Sequence, residues 1–93
     1  MRKYELVFVF KDDEEAYKQG KELVTAELTR IEAVISKEDD MGSRDLAYIV
    51  KKETRGHYYI YFIDADPEKV QSLDRSFRLS REILKYLVVR KDD

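Results

Sequence analysis

The chain has 93 residues, 43% of them hydrophobic and 41% charged, with a net charge of −2, no cysteine, one proline and three glycines. That is one small domain, residues 1–93, with a single modest core and a densely charged surface, and it excludes a disordered or linker-rich chain. Disulfides and thiolate metal sites are excluded, no apolar run approaches the length of a membrane span or a signal-peptide core, and a soluble protein of the reducing cytoplasm is expected.

Residues 4–10, YELVFVF, are aromatic and β-branched with one charge, which predicts a central strand covered on at least one face. KDDEE at 11–15 changes the chemistry: Asp12 or Asp13 can cap a helix, and the acids after it favour its positive N-terminal end. Ala16, Gly20, Leu23, Val24, Leu28 and Ile31 then recur every three or four residues, the stripe of an amphipathic helix. Gly20 inside that stripe predicts close packing of the helix on the sheet. Residues 33–40 start a second extended segment, MGS at 41–43 marks a bulge, and RDLAYIVKK resumes the strand. ETRG at 53–56 is expected as a hairpin loop and HYYIYFI as the third strand. Asp66-Pro67 opens a second helix, with Asp as the cap and Pro in the first turn, and Val70, Leu73 and Phe77 supply its apolar stripe. RLSRE turns the chain into a fourth strand, ILKYLVV at 83–89.

Strand, helix, strand, strand, helix, strand is the ferredoxin-like βαββαβ order of an α+β domain, with a four-stranded antiparallel sheet and two helices on one face. Alternation splits each strand into two side-chain sets. Leu6, Phe8 and Phe10, with Leu46, Tyr48 and Val50 and with Tyr58, Ile60 and Phe62, are expected under the helices. Val7, Val9, Ile49, Tyr59 and Tyr61 are expected on the open face. The open-face tyrosines suggest sheet packing or a partner protein before base stacking, because no Gly-Phe-x-Phe type signature accompanies them.

Catalytic chemistry is not legible. His57 is the only histidine, the serines lack a nucleophile-elbow motif, and there is no glycine-rich phosphate loop. The EDD run at 38–40 reads as a solvated acidic loop rather than a magnesium site. A non-enzyme without metal, cofactor or small-molecule substrate is therefore expected. The acidic sum opposes nucleic-acid binding, but its distribution does not. Residues 12–40 hold ten of the twenty acids, whereas residues 75–91 carry Arg75, Arg78, Arg81, Lys85, Arg90 and Lys91 against Glu82 alone. A dipolar molecule with one basic face can bind phosphate.

The motifs MRKYE at the start, G-x-R-x-L-A-Y-x-V-K-K at 42–52, G-H-Y-Y at 56–59 and L-x-x-x-F-R-L-S-x-x-I-L-K-Y-L-V at 73–88 carry a resemblance. In this order and spacing the chain resembles the bacterial small-subunit ribosomal protein six family over essentially its whole length. The resemblance implies a structural component of the small ribosomal subunit in the cytoplasm. It further implies pairing with small-subunit protein eighteen and binding to the central domain of the small-subunit ribosomal RNA. It carries RNA contact onto Arg2, Lys3, Tyr4, Arg44, Arg78 and Lys85, and the basic C-terminal segment adds Arg90 as a further RNA candidate. Partner contact is expected at Tyr48, at Lys51 and Lys52 on the edge strand and at the open-face Tyr59 and Tyr61, and the chain is expected to be a monomer off the ribosome. The sequence departs from the family pattern at Met41 for Trp, at Asp45 for a second basic residue, at Ile49 for Pro, and at Asp92-Asp93, where it stops without a long tail. Asp45 shifts the expected role of its loop from RNA toward the partner protein. The alternative is a non-enzymatic ferredoxin-like protein-interaction or small-molecule-sensing domain.

Overall fold

In the computed structural model, which describes residues 1–91, seven elements follow one another. They are β1 (Arg2–Lys11), α1 (Glu14–Arg30), β2 (Val34–Val50), β3 (Glu53–Ala65), α2 (Pro67–Val70), α3 (Leu73–Leu79) and β4 (Ile83–Arg90). The strands form one antiparallel sheet in the order β2-β3-β1-β4. The βαββαβ order is the expected one, with the second helical segment broken into the single turn α2 and the longer α3. Asp92-Asp93 lie outside the described residues.

Local chemistry explains the element ends. Asp13 caps α1 by accepting the Ala16 N–H at 2.9 Å, and Glu14 and Glu15 occupy the electropositive first turn. Asp66 accepts the Glu68 N–H at 3.0 Å, and Pro67 starts α2. The β2–β3 turn is not ETRG. Lys51 and Lys52 form it, with φ of 49° and 67°, the two positive values a two-residue type I′ hairpin requires, and Glu53–Gly56 belong to β3. Lysine is an unusual choice there, so the turn escaped a search for glycine and asparagine. The bulge near Gly42 is present: the β2–β3 register shifts between Asp40 and Gly42.

The core lies between the sheet and the helices. Leu6, Phe8 and Phe10 of β1 are fully buried against Val24 and Leu28 of α1 and Leu73 and Phe77 of α3. Phe8 sits at its centre, edge-on to Phe77 at 5.1 Å and to Tyr61 at 5.6 Å between ring centroids. Gly20 permits the close helix approach expected of it: a Cβ there would lie 2.5 Å from Phe10 Cδ1.

The β3 face assignment is corrected. Antiparallel register sets Tyr61 opposite Leu6 and Tyr59 opposite Phe8, so Tyr59, Tyr61 and Ile63 are buried under the helices, and Tyr58, Ile60 and Phe62 face outward. Alternation divides a strand into two sets, but only cross-strand register says which set is inside. Both tyrosines suit the buried position because they reach the margin: Tyr59 Oη donates to Glu38 Oε1 at 2.7 Å, and Tyr61 lines a surface cleft with Thr25 and Glu38. The EDD run is likewise not a loop. It lies within β2, each acid engaged separately: Glu38 by Tyr59, Asp39 by Lys37 at 3.7 Å, and Asp40 by His57 at 2.6 Å.

Candidate nucleic-acid interface

The cations singled out in the sequence fall mainly at two ends of the sheet. Arg90 stands opposite Tyr4 and Lys85 opposite Val9 on the same β1–β4 ladder. Five residues at about 3.4 Å rise put Lys85 and Arg90 roughly 17 Å apart. Arg2, Lys3 and Arg90 occupy one end, where Lys3 Nζ pairs with Asp64 at 3.3 Å and the Lys91 N–H donates to the Lys3 carbonyl at 2.8 Å. Tyr4 is corrected here: it shares the face of Leu6 and Phe8, is only 7% exposed, and has no ring face to offer a base.

The other end is more concentrated. Lys51 from the hairpin turn, Arg78 from α3 and Lys85 from β4 line one groove of about 340 Å³, whose apolar walls are Phe77, Ile83, Leu84 and Tyr86. A β-bulge assembles it. The β1–β4 register shifts between Val9 and Phe10, so that Lys85 faces Val9 and Ile83 faces Phe10, with Leu84 as the extra residue. Ile83 and Leu84 are thereby both buried while Lys85 turns to the open side. Arg78 is exposed and bridges to Asp74 one turn earlier at 2.8 Å. The Lys51 ammonium donates to the carbonyls of Ser80 at 3.2 Å and Ile83 at 2.8 Å. The Lys85 ammonium donates to Tyr48 Oη at 2.9 Å and lies 5.0 Å from the centre of that ring. This bond holds the Tyr48 phenol below its ordinary range and raises the Lys85 ammonium above its own. Such a set of cations can neutralise phosphate oxygens without reading sequence.

These contacts carry the hairpin tip across the open face of the sheet, from edge strand β2 to edge strand β4. Val9 and Leu46 both crowd Gly56, where an added Cβ would meet the two side chains, and Val9 is only 4% exposed although it lies on the uncovered face. Beyond the tip the face stays open, with Val7 between Ile60 and Leu87 in one row and Glu5, paired with Lys91, between Phe62 and Val89 in the next.

A profile of the ribosomal protein S6 family matches residues 3–90 of the chain. The chain belongs to the ribosomal protein S6 family. It is 44% identical over 92 residues to the small ribosomal subunit protein bS6 of Treponema pallidum, covering 99% of each chain. Against bS6 of Treponema denticola it is 43% identical over 93 residues and the whole of both. The crystal structure of the 30S ribosomal protein S6 of Thermotoga maritima superimposes with a TM-score of 0.83 at 27% identity, over 97% of this chain and 87% of that one. The C-terminal domain of the MgtC protein of Mycobacterium tuberculosis shares the fold, with a TM-score of 0.68 at 8% identity. The S6 relatives are ribosomal proteins, not enzymes.

The remaining carried-over residues take these places. Arg44 lies 5.8 Å from the centre of the Tyr58 ring on the open face, and Tyr48 is 63% exposed. Lys52 is exposed in the turn. Tyr59 and Tyr61, expected at a partner surface, lie beneath the helices instead, because their register follows Phe8 and Leu6. Asp45 accepts from Arg55 Nη1 at 2.6 Å. Its charge is therefore paired with Arg55, and Arg44 is left over Tyr58.

One cluster was missed in the sequence. His57 stacks on Tyr17 of α1, with centroids 3.8 Å apart, and its Nε2 lies 2.6 Å from Asp40 Oδ1. Tyr17 Oη donates to Asp40 Oδ2 at 3.3 Å, and Lys21 covers the Tyr17 ring at 4.5 Å. Hydrogen bonding by His57, more than any other influence, holds the Asp40 carboxyl below its usual range, while burial pushes the Tyr17 phenol up to about 12. The cluster clamps α1 to the hairpin. A lone histidine gives no hint of such a partner when 40 residues separate it from Tyr17. Among the described residues no group of three or more His, Asp or Glu is placed to hold a metal ion, and no helix is long and apolar enough to cross a membrane.

Proposed function

We propose that the chain is a non-catalytic structural constituent of the small ribosomal subunit that works in the cytoplasm. In this reading it binds the central domain of the small-subunit ribosomal RNA together with small-subunit protein eighteen and helps order that RNA during assembly. Membership of the S6 family over residues 3–90 is the observation that carries the reading. The convergence of Lys51, Arg78 and Lys85 on one groove supports the RNA half of it. Arg2, Arg44 and Arg90 add exposed cations on either side. The partner half is supported by the open apolar rows of Val7, Ile60 and Leu87, with Tyr48 and Lys52 at their border. A chain of net charge −2 makes few phosphate contacts alone, so a basic partner supplies much of the attraction.

Sedimentation of a lysate through a density gradient at low and moderate salt tests the reading. The chain travels with small subunits in both salts. A chain that stays at the top of the gradient in both refutes the ribosomal assignment. Mixing tests the pairing: if the chain with protein eighteen binds the RNA no better than the chain alone, the joint mechanism fails.

A further inference from the structure

The hairpin tip, residues 46–52, is held to the body in an unusual way. Its backbone leaves the regular ladder: Asp45 pairs with Arg55 and Val50 with Glu53, so residues 46–49 stand opposite Thr54 alone. Its apolar tip is not sealed either, since Tyr48 and Ile49 are 63% and 68% exposed. What crosses the open face is polar. Lys51 donates to two carbonyls of the α3–β4 connection, and Lys85 donates to Tyr48 Oη. Lys51 and Lys85 are also two of the three cations of the groove. The ammonium groups that latch the tip therefore also line the groove.

We propose that residues 46–52 form a strap across the open face, and that an RNA phosphate seated between Arg78 and Lys85 unlatches it. A phosphate oxygen carries a full negative charge, so it adds a Coulombic attraction for an ammonium that a neutral phenol or carbonyl oxygen, which offers only a dipole, does not. Phosphate therefore draws Lys85 from Tyr48 and competes for Lys51. The freed tip lifts Leu46 from Val9 and extends the apolar strip of Val7, Ile60 and Leu87. RNA binding in the groove and protein docking on the open face are coupled through the Tyr48–Lys85 contact. This inference rests on the phosphate-binding reading above.

The chain has no cysteine, so Val9→Cys places a single reporter thiol beneath the strap. Its rate of reaction with a soluble disulfide reagent is measured with and without a short single-stranded RNA, and RNA binding is followed separately by anisotropy. RNA is expected to raise the rate. Adding Tyr48→Phe to the reporter chain removes the latch acceptor and is expected to raise it roughly two- to fivefold without RNA, the effect of an exposed charged contact. RNA that binds while the thiol rate stays constant overturns the strap and leaves the RNA reading standing. RNA that does not bind the chain even at low salt, where three converging cations need no help from a partner, overturns the phosphate reading of the groove, and the coupling with it. A Tyr48→Phe rate equal to that of the parent overturns the latch by itself. Nuclear Overhauser contacts between the Tyr48 ring and the Lys85 methylenes give the same answer in the unsubstituted chain: they are lost on adding RNA if the strap opens and persist if it does not.

Discussion

Gly20→Ala sets two known effects against each other. Alanine is the better helix former by about 1 kcal/mol, and Gly20 lies within a seventeen-residue helix, so propensity alone predicts stabilisation. The space is not there. A Cβ at position 20 would meet Phe10 Cδ1 at 2.5 Å, Phe10 Cε1 at 2.9 Å and Glu82 Cβ at 3.2 Å, about 0.9 Å inside ordinary contact at the worst point. Phe10 has nowhere to retreat: it is fully buried, stacked on Phe8 at 5.4 Å and edge-on to Tyr17 at 5.7 Å. Overpacking a rigid site costs about 1–3 kcal/mol. An overlap against a ring that cannot move belongs in the upper half of that range, so the net expectation is a loss of about 1–2 kcal/mol. Urea unfolding followed by circular dichroism reads it as a midpoint lowered by about 0.5 M or more with an unchanged slope. Phe10→Leu is itself destabilising, but it opens the space, so Gly20→Ala costs less in the Phe10→Leu background, by at least about 0.5 kcal/mol. A Gly20→Ala chain as stable as the parent refutes the reasoning, since it means that α1 slides off the sheet without cost.

Further outcomes follow from the turn, the clamp and the groove. Lys52 holds a φ of 67°, so Lys52→Gly is expected to raise stability by about 1 kcal/mol, read as a higher urea midpoint. A carboxyl held below its ordinary 3.8 stabilises the fold above that value and loses its contribution as pH falls through the depressed one. Asp40→Asn should therefore flatten the acid limb of the stability profile and lower stability at neutral pH. Burial has the opposite sign for the phenols. Tyr17 is pushed up to about 12, and Tyr59 and Tyr61 are also raised, so the neutral forms stabilise the fold fully below pH 10 and progressively less above it. In an alkaline titration their phenolate absorbance should appear only together with loss of near-ultraviolet circular dichroism. Arg78→Ala should reduce the slope of log K against log salt for RNA binding by roughly 0.7–0.9, one phosphate's share. An unchanged slope places Arg78 outside the RNA contact.

The order of elements could be read from the residues because it rests on local chemistry: the cap at Asp13, the stripe from Ala16 to Ile31, and the Asp66-Pro67 start. The inward face of β1 was legible too, since Leu6, Phe8 and Phe10 are the larger apolar set. The family was legible from motifs spread along the chain, and the profile match covers the same span. Contacts between residues distant in sequence were not legible. Tyr59 and Tyr61 went inside because the β1–β3 register sets them beside Phe8 and Leu6, and a period of two cannot choose between faces. Tyr48 met Lys85 because a two-lysine turn extends the hairpin far enough to cross the sheet. His57 met Tyr17 because α1 returns over β3. Each of these contacts depends on how one element lies on another, and local sequence carries no term for that.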